Sequence, residues 1–272
     1  MIGNLKERFK RCCPNLVSAI FELRSARELE KHRLKKTPFG FYFSGHKEMQ
    51  KGTFEPAETE LIREHMKSSD LFVDVGANIG FFTCMARSMG VEAIAVEPLT
   101  QNLHYLYANL QANGWTDVEV HPVGLAARPG IATIYGGGTG ASLVRGWSGM
   151  SDIWKRCIPL LTMDIVLSGR FAERKLMIKI DVEGSELDVL QGAERTLAMS
   201  PPPVWLVEIC LTENRPEGVH PQFLEVFQVF WSKGYRAHVA DQDGRMVSPS
   251  DVTKWVRNRR RDFGYVNYLF IK

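Results

Sequence analysis

The stretch Leu71-Phe72-Val73-Asp74-Val75-Gly76-Ala77-Asn78-Ile79-Gly80 decides the fold. Its first five residues are an apolar run broken only by Asp74, short enough for a strand buried on both faces. Gly76 and Gly80 frame a tight turn, and Asn78 between them tolerates a left-handed backbone. A helix to about Met89 follows. Downstream the pattern repeats: strand Ala93–Val96, helix Leu99–Asn113, strand Val118–Val123, strand Leu176–Ile180, helix 185–198, strand Val204–Ile209. Helix Phe223–Trp231 and strands Arg236–Ala240 and Tyr265–Ile271 close the chain. Short apolar strands alternating with helices predict an α/β fold whose mostly parallel sheet is covered on both faces.

Upstream, Pro56 suits the first turn of a helix running to about Lys67. Residues 41–54 read as extended and aromatic. Leu16, Ile20, Leu23 and Ala26 recur at helical spacing, predicting an amphipathic helix over 15–34 that Pro38 and Gly40 terminate. The expected division is a basic helical arm with an extended segment over 1–50 and one α/β domain over 51–272.

The 272 residues carry a net charge of only +3, unevenly placed. Residues 1–36 hold ten Lys/Arg against four Glu, leaving the remainder at 24 against 27. The arm and the cluster Arg257, Arg259, Arg260 and Arg261 suit a solvated face or peripheral contact with an acidic membrane; a nucleic-acid partner is not expected. Glu22 and Arg24 interrupt the only signal-like stretch, and five cysteines without a Cys-x-x-Cys pair offer no disulfide framework or zinc site. A cytoplasmic protein is expected; the oligomeric state is left open.

In open α/β sheets the ligand sits beyond the carboxyl ends of the strands. The turn after Val75 lacks the dinucleotide fingerprint, since Asn78 stands at its middle glycine and Phe81 at its last. Asp74 beside a helix N-terminus repels pyrophosphate and suits the ammonium and sulfonium of S-adenosylmethionine. Glu97 ends the second strand at the spacing where an acid binds ribose hydroxyls, and Pro98 starts the next helix. The stretch Ile178-Lys179-Ile180-Asp181-Val182-Glu183-Gly184-Ser185-Glu186 places a lysine within an apolar strand and two carboxylates at its exit, an arrangement that requires pairing or function.

These residues resemble the FkbM family of S-adenosylmethionine-dependent methyltransferases. The resemblance rests on Asp74 to Gly80, Glu97-Pro98 and Ile178 to Gly184 with Glu186, Val189-Leu190 and Gly192-Ala193. Gly124-Leu125, Gly130, Ala141-Ser142-Leu143, Thr162-Met163-Asp164 and Glu208 match weaker positions, and the likeness spans about 50–271. It implies a Rossmann-like class I methyltransferase fold with a seven-stranded sheet, Tyr265–Ile271 being the late antiparallel strand. It also implies O-methylation of a hydroxyl on a carbohydrate or glycoconjugate, or on a polyketide or other secondary metabolite. Gly124 stands where the family more often has alanine.

The expected cofactor contacts are Asp74, Gly76, Ala77, Asn78, Gly80, Glu97, Pro98, Gly124 and Leu125; the expected catalytic pair is Asp181 and Glu183. A hydroxyl is a poor nucleophile and needs a base or a metal. Carboxylates serve only if burial raises their pKa. His46, His104 and His121 are alternatives. No spacing demonstrates a metal site, though a divalent ion on Asp181 is compatible with its oxygen ligands. Glu55 is a candidate cofactor contact or a first-turn helix acid. The Gly136–Gly140 loop, Trp147 and Trp154 mark an acceptor-binding insertion or ordinary packing. A nucleic-acid or protein methyltransferase and a non-catalytic binding protein remain the other classes.

Overall fold

The computed structural model describes residues 33–149, 154–215, 218–241 and 243–272. The amphipathic helix expected over 15–34 and most of the basic arm lie outside them. Strand β3 (Leu71–Val75) is buried throughout and central to an eight-stranded sheet. On one side it pairs with β4 (Glu92–Val96), which pairs with β5 (Glu119–His121), all parallel. On the other it pairs with β9 (Leu176–Ile180), then β10 (Val204–Glu208), also parallel. The late strand β13 (Asn267–Ile271) inserts antiparallel between β10 and β11 (Arg236–Val239). The seven expected strands are present, and β12 (Met246–Val247) adds a two-residue edge.

Alternate residues of β3 serve two cores. Leu71, Val73 and Val75 join a cluster with α5 (Met163–Leu167), α6 (Glu186–Gln191), α7 (Glu194–Leu197), α8 (Phe223–Ser232) and α9 (Pro249–Asn258). Phe72 faces the second cluster, with α1 (Lys47–Lys51), α2 (Pro56–Met66), α3 (Phe81–Ser88) and α4 (Thr100–Ala112). Helices therefore cover both faces. Phe41 and Phe43 pack into that second cluster from β2 (Tyr42–Phe43), which pairs with β1 (Lys35–Lys36). Asn109 of α4 and Asn113, which caps its C-terminus, fasten Ser44 and Tyr42 by their backbone groups.

Several elements differ from their sequence expectation. Residues 41–54 are not extended throughout, because α1 occupies 47–51 and closes on Gly52 at φ 71°. The helix expected over 185–198 is two: a Cβ at Gly192 would lie 2.2 Å from the Ala126 carbonyl oxygen, and the chain turns there instead of continuing. The strand expected to reach Val123 ends at His121. Gly124–Leu125 then forms β6, which joins β7 (Gly130–Tyr135) and β8 (Lys155–Leu161) in a separate three-stranded sheet beside the main one. Helix α9 opens on a capping box of Ser248 and Asp251 that the sequence reading passed over. Arg261 is buried rather than solvated: its guanidinium donates to the Ile209 carbonyl and pairs with Glu213, tying the end of β10 to the C-terminal region. No helix among the described residues is long and apolar enough to cross a membrane.

Candidate active site

The turn after β3 folds as its residues require. Gly76 (φ 83°), Asn78 (φ 52°) and Gly80 (φ 83°) are all left-handed. The reason for Gly76 lies within the chain, since a Cβ there would sit 1.8 Å from the Asp181 carbonyl oxygen. Strands β3 and β9 leave the sheet in contact at that point, and Asp181 N–H donates to the Val75 carbonyl at 3.0 Å.

Beyond these strand ends lies an open cleft. Gly76, Asn78, Glu97, Pro98, Gly124, Leu125, Asp181 and Glu183 all line it. Glu97, buried at the end of β4, accepts from Asn78 N–H at 2.9 Å, Leu99 N–H at 2.8 Å and Asn102 Nδ2 at 3.2 Å. Burial pushes its carboxyl up to about 7, against those hydrogen bonds. Apolar walls come from Leu99, Leu125, Ile134, Leu143 and Ile158. Asn102, only 2% exposed, leaves Oδ1 without a hydrogen-bond partner at the cleft wall. An acid, an unsatisfied amide oxygen and apolar walls at this strand edge suit the ribose, base and apolar surface of a nucleoside cofactor.

The cleft meets a second chamber of about 370 Å³ at Gly76, Asn78, Asp181 and Glu183. Asp74 and Ala77 line this chamber and not the cleft; Gly80 lines neither, packing instead beside Leu106. Asp74 is 1% exposed and accepts from Thr83 Oγ1 at 2.6 Å. Lys179, the lysine within the apolar strand, is paired twice: with Asp181 at 2.8 Å and with Glu58 of α2 at 3.5 Å. Burial works against its ammonium, but Asp181, Glu58 and Asp74 overcome this and hold its pKa well above the ordinary lysine range. Glu58 is pushed up to about 8 by burial despite Lys179. Burial followed by the charges of Asp181 and Glu183 raises Glu208 well above the carboxylate range.

Glu183 adopts φ 55°. Its Oε2 accepts from Trp147 Nε1 at 2.5 Å and from Asn214 Nδ2 at 3.4 Å. Burial, then the neighbouring Asp181 charge, pushes this carboxyl up to about 8 while the indole N–H pulls it down. Trp147 is therefore not an exposed platform for an acceptor ring; it is 2% exposed and serves as a hydrogen-bond donor.

Of the histidines, His46 lines the chamber, His104 is exposed beside Tyr105, and His121 is held by Glu119 at 2.6 Å, itself gripped by Arg170. Glu55 (φ 39°) borders the chamber and hydrogen-bonds Glu58. Among the described residues no three His, Cys, Asp or Glu side chains converge as a metal site.

Sequence reasoning missed Glu58, Asn102 and His220. Glu58 carried a signal, since it shares the i, i+4, i+8 face of α2 with buried Ile62 and Met66, where a carboxylate needs a partner. His220 carried none. Its buried ring accepts from Gln222 N–H at Nδ1 and approaches the Gly184 carbonyl at 3.4 Å, and burial followed by nearby Arg215 lowers it to about 4.

A model of the methyltransferase FkbM domain matches residues 74–237. No curated protein sequence is significantly similar to the chain. Among solved structures, the O-methyltransferase from Bacillus cereus in complex with SAH is 11% identical over 99% of this chain and 98% of that one, at a TM-score of 0.45. The ribosomal protein L11 methylase from Lactobacillus delbrueckii is 9% identical over 79% and 76%, at 0.43. The precorrin-6y C5,15-methyltransferase from Geobacter metallireducens is 12% identical over 72% and 79%, at 0.41.

Proposed function

The chain belongs to the FkbM methyltransferase family and is an S-adenosylmethionine-dependent enzyme; from that premise we propose that it methylates a hydroxyl of a carbohydrate or glycoconjugate, with Glu183 as the base. The carrying observation is that the cleft lined by Glu97 and the carboxylate-lined chamber meet at Asp181 and Glu183. When bound, S-adenosylmethionine supplies an electrophilic methyl on a positive sulfur.

In this reading Glu97 accepts the ribose hydroxyls, Asn102 orients Glu97, and Gly76 and Asn78 bring the backbone close to the cofactor, while Ala77 lies on the chamber side of the same turn. Pro98, Gly124 and Leu125 complete the cleft wall, Gly80 supports the turn by packing, and Asp74 acts from the chamber side. Asp181, paired with Lys179 where cleft and chamber meet, would hold the sulfonium end of the cofactor. An amine attacks through its own lone pair, whereas a hydroxyl gains from losing its proton as it attacks. A carboxyl titrating near 8 is a far better acceptor of that proton than an ordinary glutamate. The positive charge of a bound cofactor would favour its ionised form.

The chamber sets carboxylates, His46 and Lys179 beside the aromatic walls of Phe54, Phe81 and Phe82, which supports a polyhydroxylated ring as acceptor, with a secondary metabolite as the other source of the same hydroxyl chemistry. Cytoplasmic residence and peripheral membrane contact through residues 1–36 belong to the same proposal; Cys84, Cys157 and Cys210 are free thiols, which suits a reducing compartment.

The test supplies the purified full chain with S-adenosylmethionine deuterated at the methyl and extracts containing glycans, glycolipids and small metabolites. Mass spectrometry is expected to find the label ether-linked on a sugar, and Glu183→Gln to abolish it. Label on protein or nucleic-acid nitrogen would overturn the reading.

A further inference from the structure

The segment 136–149, between β7 and β8, reaches both halves of the site. Gly138 carbonyl accepts from Asn102 Nδ2 at 3.4 Å, and Ala141 and Leu143 line the cofactor cleft. Further along, Ser142 Oγ donates to the Glu183 carbonyl at 2.5 Å and accepts from Val144 N–H at 2.9 Å. Trp147 donates its indole N–H to the Glu183 carboxylate and covers Gly184, where a Cβ would meet the ring at 2.4 Å. Both Ser142 and Trp147 are at least 98% buried. Their partners are an unusual backbone pair, Glu183 at φ 55° and Gly184 at φ 97°.

A non-glycine residue at positive φ persists only where its surroundings hold it. Here the backbone oxygen and the side-chain oxygen of one glutamate are each held by a different residue of one loop. On the far side, Ser148 N–H donates to the Asn214 carbonyl at 2.5 Å, Arg215 lies over the Trp147 ring at 5.8 Å, and His220 meets the ring edge-on. The indole is thereby fixed from behind while its N–H points at the carboxylate.

We propose that Trp147 and Ser142 are positioning residues that clamp Glu183 for proton transfer, the indole fixing its carboxylate and the hydroxyl its backbone. The proposal rests on Glu183 being the base for its purpose, but the clamp itself is measurable without turnover. The groups facing Glu183 are Asp181, Lys179, Glu186 and Glu208 besides the indole and Asn214. Any of these charges shifts the carboxyl; only the clamp makes the indole proton report it.

The experiment is a pH titration by NMR of the full chain carrying ¹⁵N-tryptophan and ¹³C-carboxyl glutamate. Among the six indoles, that of Trp147 is identified by Trp147→Phe or, should that variant not fold, by nuclear Overhauser contacts with the Gly184 α-protons. Its N–H is expected to move with the same midpoint as the Glu183 carboxyl carbon, and to stop titrating in Glu183→Gln. In Trp147→Phe the Glu183 midpoint is expected to rise by about one unit, because a hydrogen bond to the charged form is lost. An indole that does not titrate, or titrates unchanged in Glu183→Gln, overturns the clamp. Loss of methyl transfer in Glu183→Gln is read separately, so failure of the clamp and failure of the base assignment are distinguishable.

Discussion

Replacing Lys179 by methionine keeps the length and apolar stem of the side chain while removing the ammonium that faces Asp181 in the chamber. The ammonium is 3% exposed, 2.8 Å from Asp181 and 3.5 Å from Glu58. At an effective dielectric of about 20 the Asp181 contact is worth roughly 6 kcal/mol of Coulomb attraction, and the Glu58 contact roughly 5 once Glu58 ionises near pH 8, much of it offset by desolvation. Removing one partner of a buried pair costs about 3–5 kcal/mol net, because the remaining charge stays buried. The penalty must also depend on pH. Lys179 is charged in both folded and unfolded states across pH 5–9, and what it contributes is lost only as pH rises through its raised folded value.

Glu58, neutral in the folded protein until about pH 8 but ionised in the unfolded chain above about 4.5, lowers stability progressively between those values. Without Lys179 its folded value rises further, as does that of Asp74, so the difference between variant and wild type grows toward alkaline pH. Urea denaturation followed by circular dichroism at pH 5.5 and 8.5 measures this. The expected loss is about 3–5 kcal/mol at pH 8.5 and clearly less at pH 5.5, with partial recovery in Lys179→Met/Glu58→Gln. A loss below about 1 kcal/mol, or one equal at both pH values, refutes the assignment of Lys179 as counter-charge.

Gly76→Ala is expected to destabilise by more than about 2 kcal/mol, since a left-handed alanine costs roughly 1–2 and its Cβ meets an Asp181 backbone oxygen that no side-chain rotation can clear; a thermal melt within 1 °C of wild type would contradict this. Binding of S-adenosylhomocysteine should strengthen as pH rises through about 7, where Glu97 ionises and best accepts hydroxyls, and Glu97→Gln should remove that dependence in calorimetry. Arg261→Lys is expected to lose about 1–3 kcal/mol in urea denaturation despite keeping the charge, because one guanidinium serves both the Ile209 carbonyl and Glu213; a neutral outcome would show the anchor to be solvated.

The central sheet was legible because its strands are buried on both faces, which forces runs such as Leu71–Val75 and Leu176–Ile180 to be almost wholly apolar. The site turns were legible because positive φ selects glycine and asparagine, as at Gly76 and Asn78. The three-stranded sheet was not: β7 and β8 are largely exposed or half-buried, so hydrophobic patterning is weak, and β6 is two residues long. The role of Trp147 was equally hidden. An indole in a loop of serines and glycines reads the same whether it packs, stacks on a sugar or donates to a carboxylate 36 residues away. Arg261 misled for the converse reason, since a run of arginines carries no mark of the one whose partner, Glu213, comes from a distant loop.

The account stands most directly on the cofactor cleft. Titration calorimetry of the full chain with S-adenosylmethionine is expected to show one site per chain, weakened at least about tenfold by Glu97→Ala, a loss of roughly 1.4 kcal/mol or more, and far less by Arg261→Lys. Binding that Glu97→Ala leaves unchanged would contradict it.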